Sequence, residues 1–384
     1  MSMKTKLPEL CKIQYGYAFD SDKFTDDDKF LPLVRIRDVK RGYSETYYDG
    51  QYPNEYIIHY GDLLIGMDGE FNIARWKSRE ALLNQRVCRI VANPGTNEEY
   101  LRFALTKALK EIENRTAFVT VKHLSAKELN RLELNIPELE KQNIIAKTLS
   151  KLESIIGLKN REVELLDNLI KARFVEMFGD LANPKCEWEK FPLVKMCKSS
   201  DDIKCGPFGT QLSKDEYHST GIMVWEIPQI NSSFKTKPTK FLTNEKAKEL
   251  QAYSIIPGDI AMSRKGNVGK CALFPENYPN GIIHSDVLRI RVDQGKVNPC
   301  FMMHQFHYSR AILNQIDLVS HGAIMAGINV TKLKNIIVHL PPKNIQDDFS
   351  SFVSQIDKSK VVYLKAAREY HKQSKVVEMK MLQR

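Results

Sequence analysis

Short apolar runs broken by Gly, Asp and Asn dominate the first 130 residues, and they return in the same order after a long helical stretch. LPLVRIRDV at 31–39, YGDLLIGM at 60–67 and RVCRIVA at 86–92 read as strands, because apolar and β-branched residues are bounded by turn formers. GIMVWEIPQI at 221–230, PGDIAMSR at 257–264 and DVLRIRV at 286–292 carry the same punctuation. Each set is followed by a predicted helix, near 98–113 and near 298–314. Each globular section is expected to be α+β, a strongly bent antiparallel sheet with helical additions.

The pattern then changes period. From Gln142 onward, Ile145, Leu149, Leu152, Ile156, Val163, Leu166 and Ile170 alternate spacings of four and three apart from a gap at Lys159, which is a heptad seam. Phe349, Val353, Ile356, Tyr363, Tyr370 and Val377 keep the same register 204 residues later. Pro137 and Pro341 stand just before the two helices, where proline belongs. Some 36 to 40 helical residues make a rod of roughly 55 to 60 Å at 1.5 Å each. A single stripe could pack on its own domain, but two matched stripes predict rods packed on each other. Antiparallel packing would place the globular parts at opposite ends, related by a pseudo-two-fold axis.

The repeat runs deeper than pattern. Leu129, Leu132, Pro137 and Gln142 return as Leu333, Ile336, Pro341 and Gln346, while Gly61 returns 197 positions later as Gly258. A period near 200 is too long for a solenoid of small units, so each copy must be a complete domain with its own core. The expected division is a globular domain at 1–137, a helix at 138–180, a second globular domain at 181–342 and a second helix at 343–384. Twin domains suggest two similar sites.

Composition narrows the class. The chain has 384 residues, 42% of them apolar, which is enough for two cores. No stretch approaches about 18 uninterrupted apolar residues and the start lacks a signal-peptide run, so a cytoplasmic protein with no membrane partner is expected. Seven scattered cysteines without a C-x-x-C pair predict reduced thiols. The net charge of +10 suggests a polyanionic partner, although a basic solvated surface would give the same number. Enzyme chemistry finds little support. His304 and His307 lack a third ligand, RKGNVGK at 264–270 is no Walker loop, no Asn-Pro-Pro-Tyr-like loop is present, and Glu187-Trp188-Glu189-Lys190 is a faint echo of a nuclease E-x-K.

IKCGPFGTQLSKDEYHSTGI at 203–222, YSIIPGDIAMSRKGNVGKCALFPE at 253–276 and IIHSDVLRIRV at 282–292 resemble the target-recognition domain of type I restriction–modification specificity subunits. GYAFD at 16–20, LVRIRDV at 33–39, GDLLIGMDG at 61–69 and LLNQRVCRI at 82–90 look like a diverged version. LELNIPELEKQNIIAKTLSKLESII at 132–156, IIVHLPPKNIQDDFSSFVSQID at 336–357 and RFVEMFGD at 173–180 resemble the family's spacer regions. Their order, repeated over almost the whole chain, carries the resemblance.

The resemblance implies a subunit without catalysis of its own. Two recognition domains would each read half of a bipartite asymmetric site in double-stranded DNA. The paired helices would set the spacing and dock two modification subunits and, through them, restriction subunits. No cofactor is expected in this chain; S-adenosylmethionine, ATP and Mg would act on the partners. A coiled-coil scaffold without base readout, or a nuclease, are the alternatives. Candidate DNA contacts are Asp68, Glu70, Asn72, Arg75, Trp76 and Lys77 after the first Gly-Asp strand, and Arg264, Lys265, Asn267 and Lys270 after the second. Lys204, Thr210, Gln211 and Lys214 near the GPFG turn join them. For each cation, solvent or a local salt bridge is the competing role. Gly66, Gly69, Gly206, Gly209, Gly266 and Gly269 are expected to serve turns with positive φ.

Overall fold

Leu63 and Ile65 of the Gly-Asp strand pack with Tyr100, Leu101 and Leu105 of the following helix, while Leu64 between them packs with Val34, Trp76 and Val87. A strand covered on both faces reads as a continuous apolar run, which is why LLIG shows no alternation. The second copy does the same: Ile260 and Met262 join a core with Phe306 and Ile312, and Ala261 joins another with Trp225 and Phe274.

The computed structural model describes residues 3–115, 122–183, 186–320 and 327–382. It divides into two units, Met1–Arg161 with Leu364–Arg384, and Glu162–Tyr363. The first unit has an antiparallel sheet in the order Cys11–Tyr15, Val87–Ala92, Leu63–Gly66, Ile73–Arg75. In the second unit Ile203–Cys205, Val287–Ile290, Ile260–Ser263 and Cys271–Leu273 take the same places. A second sheet in each unit is mixed, with Leu33–Val34 parallel to Leu82–Leu83 and Val224–Trp225 parallel to Ile282–Ile283. This parallel pair is an addition to the all-antiparallel expectation. The offset between copies grows from 197 at Gly61 to 201 at Asn97 and 204 at Gln142, so the extra residues of the second copy are spread over several connections. The helix expected near 298–314 is two helices, Pro299–Tyr308 and Arg310–Ser320, broken at the extended Ser309.

The long helices are Leu139–Phe178 and Lys343–Leu382. Each is tied to its domain by a buried glutamine. Gln142 Oε1 accepts from Asn97 N at 2.8 Å and its Nε2 donates to Pro137 O at 2.9 Å; Gln346 repeats both bonds with Asn298 N at 2.9 Å and Pro341 O at 2.7 Å. Within the second unit the two helices run antiparallel, since Asp167 pairs with Lys360 at 2.6 Å and Phe174 meets Phe349 at 5.5 Å between centroids.

The seam is not a uniform helix–helix contact. Ile145 and Leu149 are fully buried in the core of the first domain, with Val377 against the same core. Ile170, Phe349 and Val353 join Phe174, Phe178, Phe301 and Leu181 in a cluster of the second unit. Leu152 is buried, whereas Ile156, Val163, Leu166, Ile356, Tyr363 and Tyr370 are half-buried. The helix ends have a domain core to cover, whereas the middle positions are only half-buried.

His304 and His307 are packed within the fold. His304 is 6% exposed and its Nδ1 donates to Cys300 O at 2.8 Å; His307 Nε2 donates to Cys271 O at 2.9 Å. Burial pushes the His304 pKa down to about 4 and lowers that of His307 as well. The folded value lies below the unfolded one of about 6.5, so this stability is complete above pH ~6.5 and is lost as pH falls towards 4, to the extent of about 3 kcal/mol for His304. Melting of the wild type is expected to fall faster over that window than melting of His304→Gln, which cannot titrate there. Parallel curves for the two chains would show that His304 is not buried as a neutral ring.

Candidate nucleic-acid interface

One end of each central sheet gathers polar side chains from separate stretches of chain. In the first unit Asp68 leaves the turn after Leu63–Gly66, Arg86 stands immediately before Val87–Ala92, and Arg35 follows Leu31–Val34. Because Val34 pairs in parallel with Leu83, Arg35 is carried to the same end as Asn84 and Arg86. Asp68 is 7% exposed and is held by Arg86 and His123. Burial alone would raise its carboxyl, yet those two partners outweigh burial and hold it below the usual carboxylate range. The Arg86 side chain remains 59% exposed, and its φ of +67° lies in a region few non-glycine residues adopt.

The second unit builds the same end from other residues. Lys265 Nζ lies 2.9 Å from Asp286, His284 stands 3.8 Å from Asp286 and 4.0 Å from Glu226, and Glu226 meets Lys240 at 2.7 Å. Burial lowers the His284 pKa. Arg264 stacks over Phe208 at 4.8 Å and donates to Cys205 Sγ and Ser285 O, which brings the GPFG turn against this end.

The sequence candidates separate accordingly. Asp68, Glu70 and Asn72 share the turn of the first unit, where Glu70 is exposed 3.6 Å from Lys40 and Asn72 Nδ2 donates to Glu70 O. Arg75, Trp76 and Lys77 do not belong with them. Strand Ile73–Arg75 runs back along Leu63–Gly66, so these three lie at the opposite end, beside Gly61 and Asp62. Trp76 is 1% exposed and donates to Arg79 O at 2.7 Å, so the structure places it in the core. Arg75 is committed to Glu98, Glu99 and Gly61 O at the start of helix Glu98–Arg115, and Lys77 is exposed beside Gly42.

In the second unit Lys265, Asn267 and Lys270 are exposed around the turn and Arg264 is half-buried. Thr210, Gln211 and Lys214 are exposed, with Gln211 accepting from Tyr253 OH; Lys204 lies 5.5 Å over the Tyr253 ring and 4.0 Å from Asp201. Gly69, Gly209, Gly266 and Gly269 have positive φ, but Gly66 and Gly206 do not. Gly206 is needed because a Cβ there would strike the His284 and Ile283 backbone.

Arg35, Asn84, Arg86, His123, Glu226, His284 and Asp286 were absent from the sequence candidates. The readable signal was that NQRV and HSDV occupy one place in the repeat with unrelated chemistry. Arg89 and Arg289, by contrast, are structural: both donate to the backbone of a neighbouring short strand, at Ile57 O and Ser254 O. Among the described residues no cluster of His, Cys, Asp and Glu is arranged to hold a metal, and no helix is long and apolar enough to cross a membrane.

A family model described as the type I restriction modification DNA specificity domain matches residues 2–167 and 186–368, one match per repeat. The chain is 28% identical over 375 residues to the type I restriction enzyme EcoBI specificity subunit of Escherichia coli, covering 92% of this chain and 79% of that protein. It is 20% identical over 321 residues to the type I restriction enzyme MjaVIII specificity subunit of Methanocaldococcus jannaschii, covering 79% and 74%. Among solved structures it is similar to the type I restriction-modification S subunit from M. genitalium, with TM-score 0.60 and 14% identity over 100% of this chain and 96% of that one. A chain from a structure of type I R-M complex assembly and conformational transition gives TM-score 0.53 at 17% identity over 100% and 96%. The fold is shared, and because the two matches span most of the chain, this protein belongs to the type I restriction modification DNA specificity family.

Proposed function

We propose that the chain is the sequence-reading, non-catalytic subunit of a type I restriction–modification complex. Each unit reads one half of a bipartite, asymmetric site in double-stranded DNA, and the long helices fix the number of base pairs between the halves. The observation that carries this reading is the repetition of one polar sheet end in two separate units of a family member. A scaffold has no use for that construction.

Exposed cations such as Lys214 and Lys270 suit phosphate contacts, which make binding salt dependent. Groups able to make paired hydrogen bonds suit base edges in the major groove. Leu165, Leu169, Val361 and Val362 are exposed on the long helices and suit docking of two modification subunits, which would bring restriction subunits with them. S-adenosylmethionine, ATP and Mg²⁺ would act on those partners.

The purified chain is expected to retard duplex DNA, less strongly as salt rises, and to leave it chemically unchanged in the presence of Mg²⁺, ATP and S-adenosylmethionine. Adding the modification subunits should produce methylation at a single split sequence. Cleavage that co-purifies with this chain, or methylation without sequence preference in the complex, would overturn the reading.

A further inference from the structure

We propose that Arg35, Asp68 and Arg86 in the first unit and Glu226, Lys265 and Asp286 in the second are one base-reading frame, used twice with its charges inverted. The inference rests on the proposed DNA-reading function and adds to it which positions read.

The equivalence is set by the backbone. Arg35 and Glu226 each follow the strand of the parallel pair, and each N–H is capped three residues on, by Asp38 at 2.9 Å and Gln229 at 3.0 Å. Asp68 and Lys265 each stand two residues past the central Gly-Asp strand and form an isolated antiparallel bridge, to His123 and Gly327. Arg86 and Asp286 each precede the next strand, and their carbonyls accept from Met67 N at 2.8 Å and Arg264 N at 3.0 Å.

Chemistry at these matched places is opposite. The first unit carries plus, minus, plus, and the second minus, plus, minus. A role in folding alone requires that positions 68 and 86, and 265 and 286, attract each other, and both pairs do. It does not require the polarity to reverse. What the reversal changes is the hydrogen bonding offered to an outside partner. Arg86, with its side chain 59% exposed, presents donors in a planar fork, whereas Asp286 presents acceptors only. Guanine shows acceptors O6 and N7 in the major groove, while cytosine and adenine show amino donors. The frame of the first unit therefore suits guanine, and that of the second the amino group of cytosine or adenine. Asp68, 7% exposed, stands behind Arg86 as a positioning residue, whereas Lys265, with its side chain 47% exposed against 29% for Asp286, reaches the surface beside it and holds the Asp286 carboxylate.

The test uses the full chain with its modification subunits and a pool of duplexes randomised over the site. The double variant Asp68→Lys with Arg86→Asp keeps an ion pair, and should change the selected sequence in one half only. It should weaken binding of the wild-type site by about 5- to 150-fold, the range for one bidentate base contact. Arg86→Lys keeps the charge but not the fork, and should relax the same position while melting like wild type. The frame is wrong if the double variant melts like wild type and selects the same sequence, if both halves change together, or if Arg86→Lys leaves that position fully specified. A wild-type complex that selects no sequence removes the DNA-reading function itself, and the frame with it.

Discussion

Deletion of Val163–Leu169 together with Ile356–Val362 is expected to keep both half-sequences and bring them about three base pairs closer. The two segments face each other in the second unit, where Asp167 pairs with Lys360, so both partners leave together. Seven residues span about 10.5 Å of helix, and a base-pair step rises about 3.4 Å. A heptad returns a helix face to within about 20°, but three base pairs turn the duplex by nearly a third of a turn of about 10.5. The shortened protein should therefore bind its new site less tightly than the wild type binds its own. Against the original spacing it should lose most of its preference over random DNA, a factor of about 10³ or more. Because the deleted segments carry the exposed Leu165, Leu169, Val361 and Val362, the answer is read from binding of the purified variant to duplexes randomised in spacer length, without the modification subunits. An unchanged spacer in a folded variant would mean that the helices do not set the distance.

Phe174→Ala should be the most destabilising single substitution in the helical part of the second unit. Phe174 is 1% exposed and touches Phe178, Phe301, Tyr308 and Phe349, so it ties both long helices to helix Pro299–Tyr308. Truncating a buried phenylalanine costs about 3–5 kcal/mol, and in a unit of this size roughly 2–4 °C of melting temperature per kcal/mol. Calorimetry should show the transition of the Glu162–Tyr363 unit lowered by about 10 °C, with the other unit unmoved. Trp76→Ala is the counterpart for the first unit, through a core lined by Val34, Leu64 and Leu83. If Phe174→Ala cost less than about 1 kcal/mol, the aromatic cluster would not be the joint described here. A Trp76→Ala chain that melts normally but no longer binds DNA would return Trp76 to the interface.

The large features were legible because they rest on periodicity. The duplication, the two α+β domains and the long helices follow from apolar spacing and from Gly61, Gly258, Pro137 and Pro341. Less legible was anything that depends on chain direction after a turn. Arg75, Trp76 and Lys77 follow Asp68 closely in sequence, yet the hairpin returns them to the far end of the sheet. Tryptophan near basic residues reads as an interface, but only the tertiary fold shows that its face is covered by Val34 and Val87. Phe174 went unnoticed because it lies off the strict seam, one turn from Ile170. The pairings of Asp68 with Arg86 and Lys265 with Asp286 span about twenty residues, a separation at which composition carries no signal.

The first unit is not a continuous piece of chain: it takes Met1–Arg161 and then Leu364–Arg384, with the whole of the second unit inserted between. Val377 lies against the same core as Ile145 and Leu149. During synthesis the second unit has all its residues as soon as Tyr363 has emerged, whereas the first must wait some two hundred residues for its final helical segment. Domains usually fold in the order they are made, but here completion runs in reverse. Until then the apolar face around Ile145 and Leu149 is only partly covered, which makes the interval between translation of Arg161 and of Val377 the period when the nascent protein is most exposed to aggregation and to proteases.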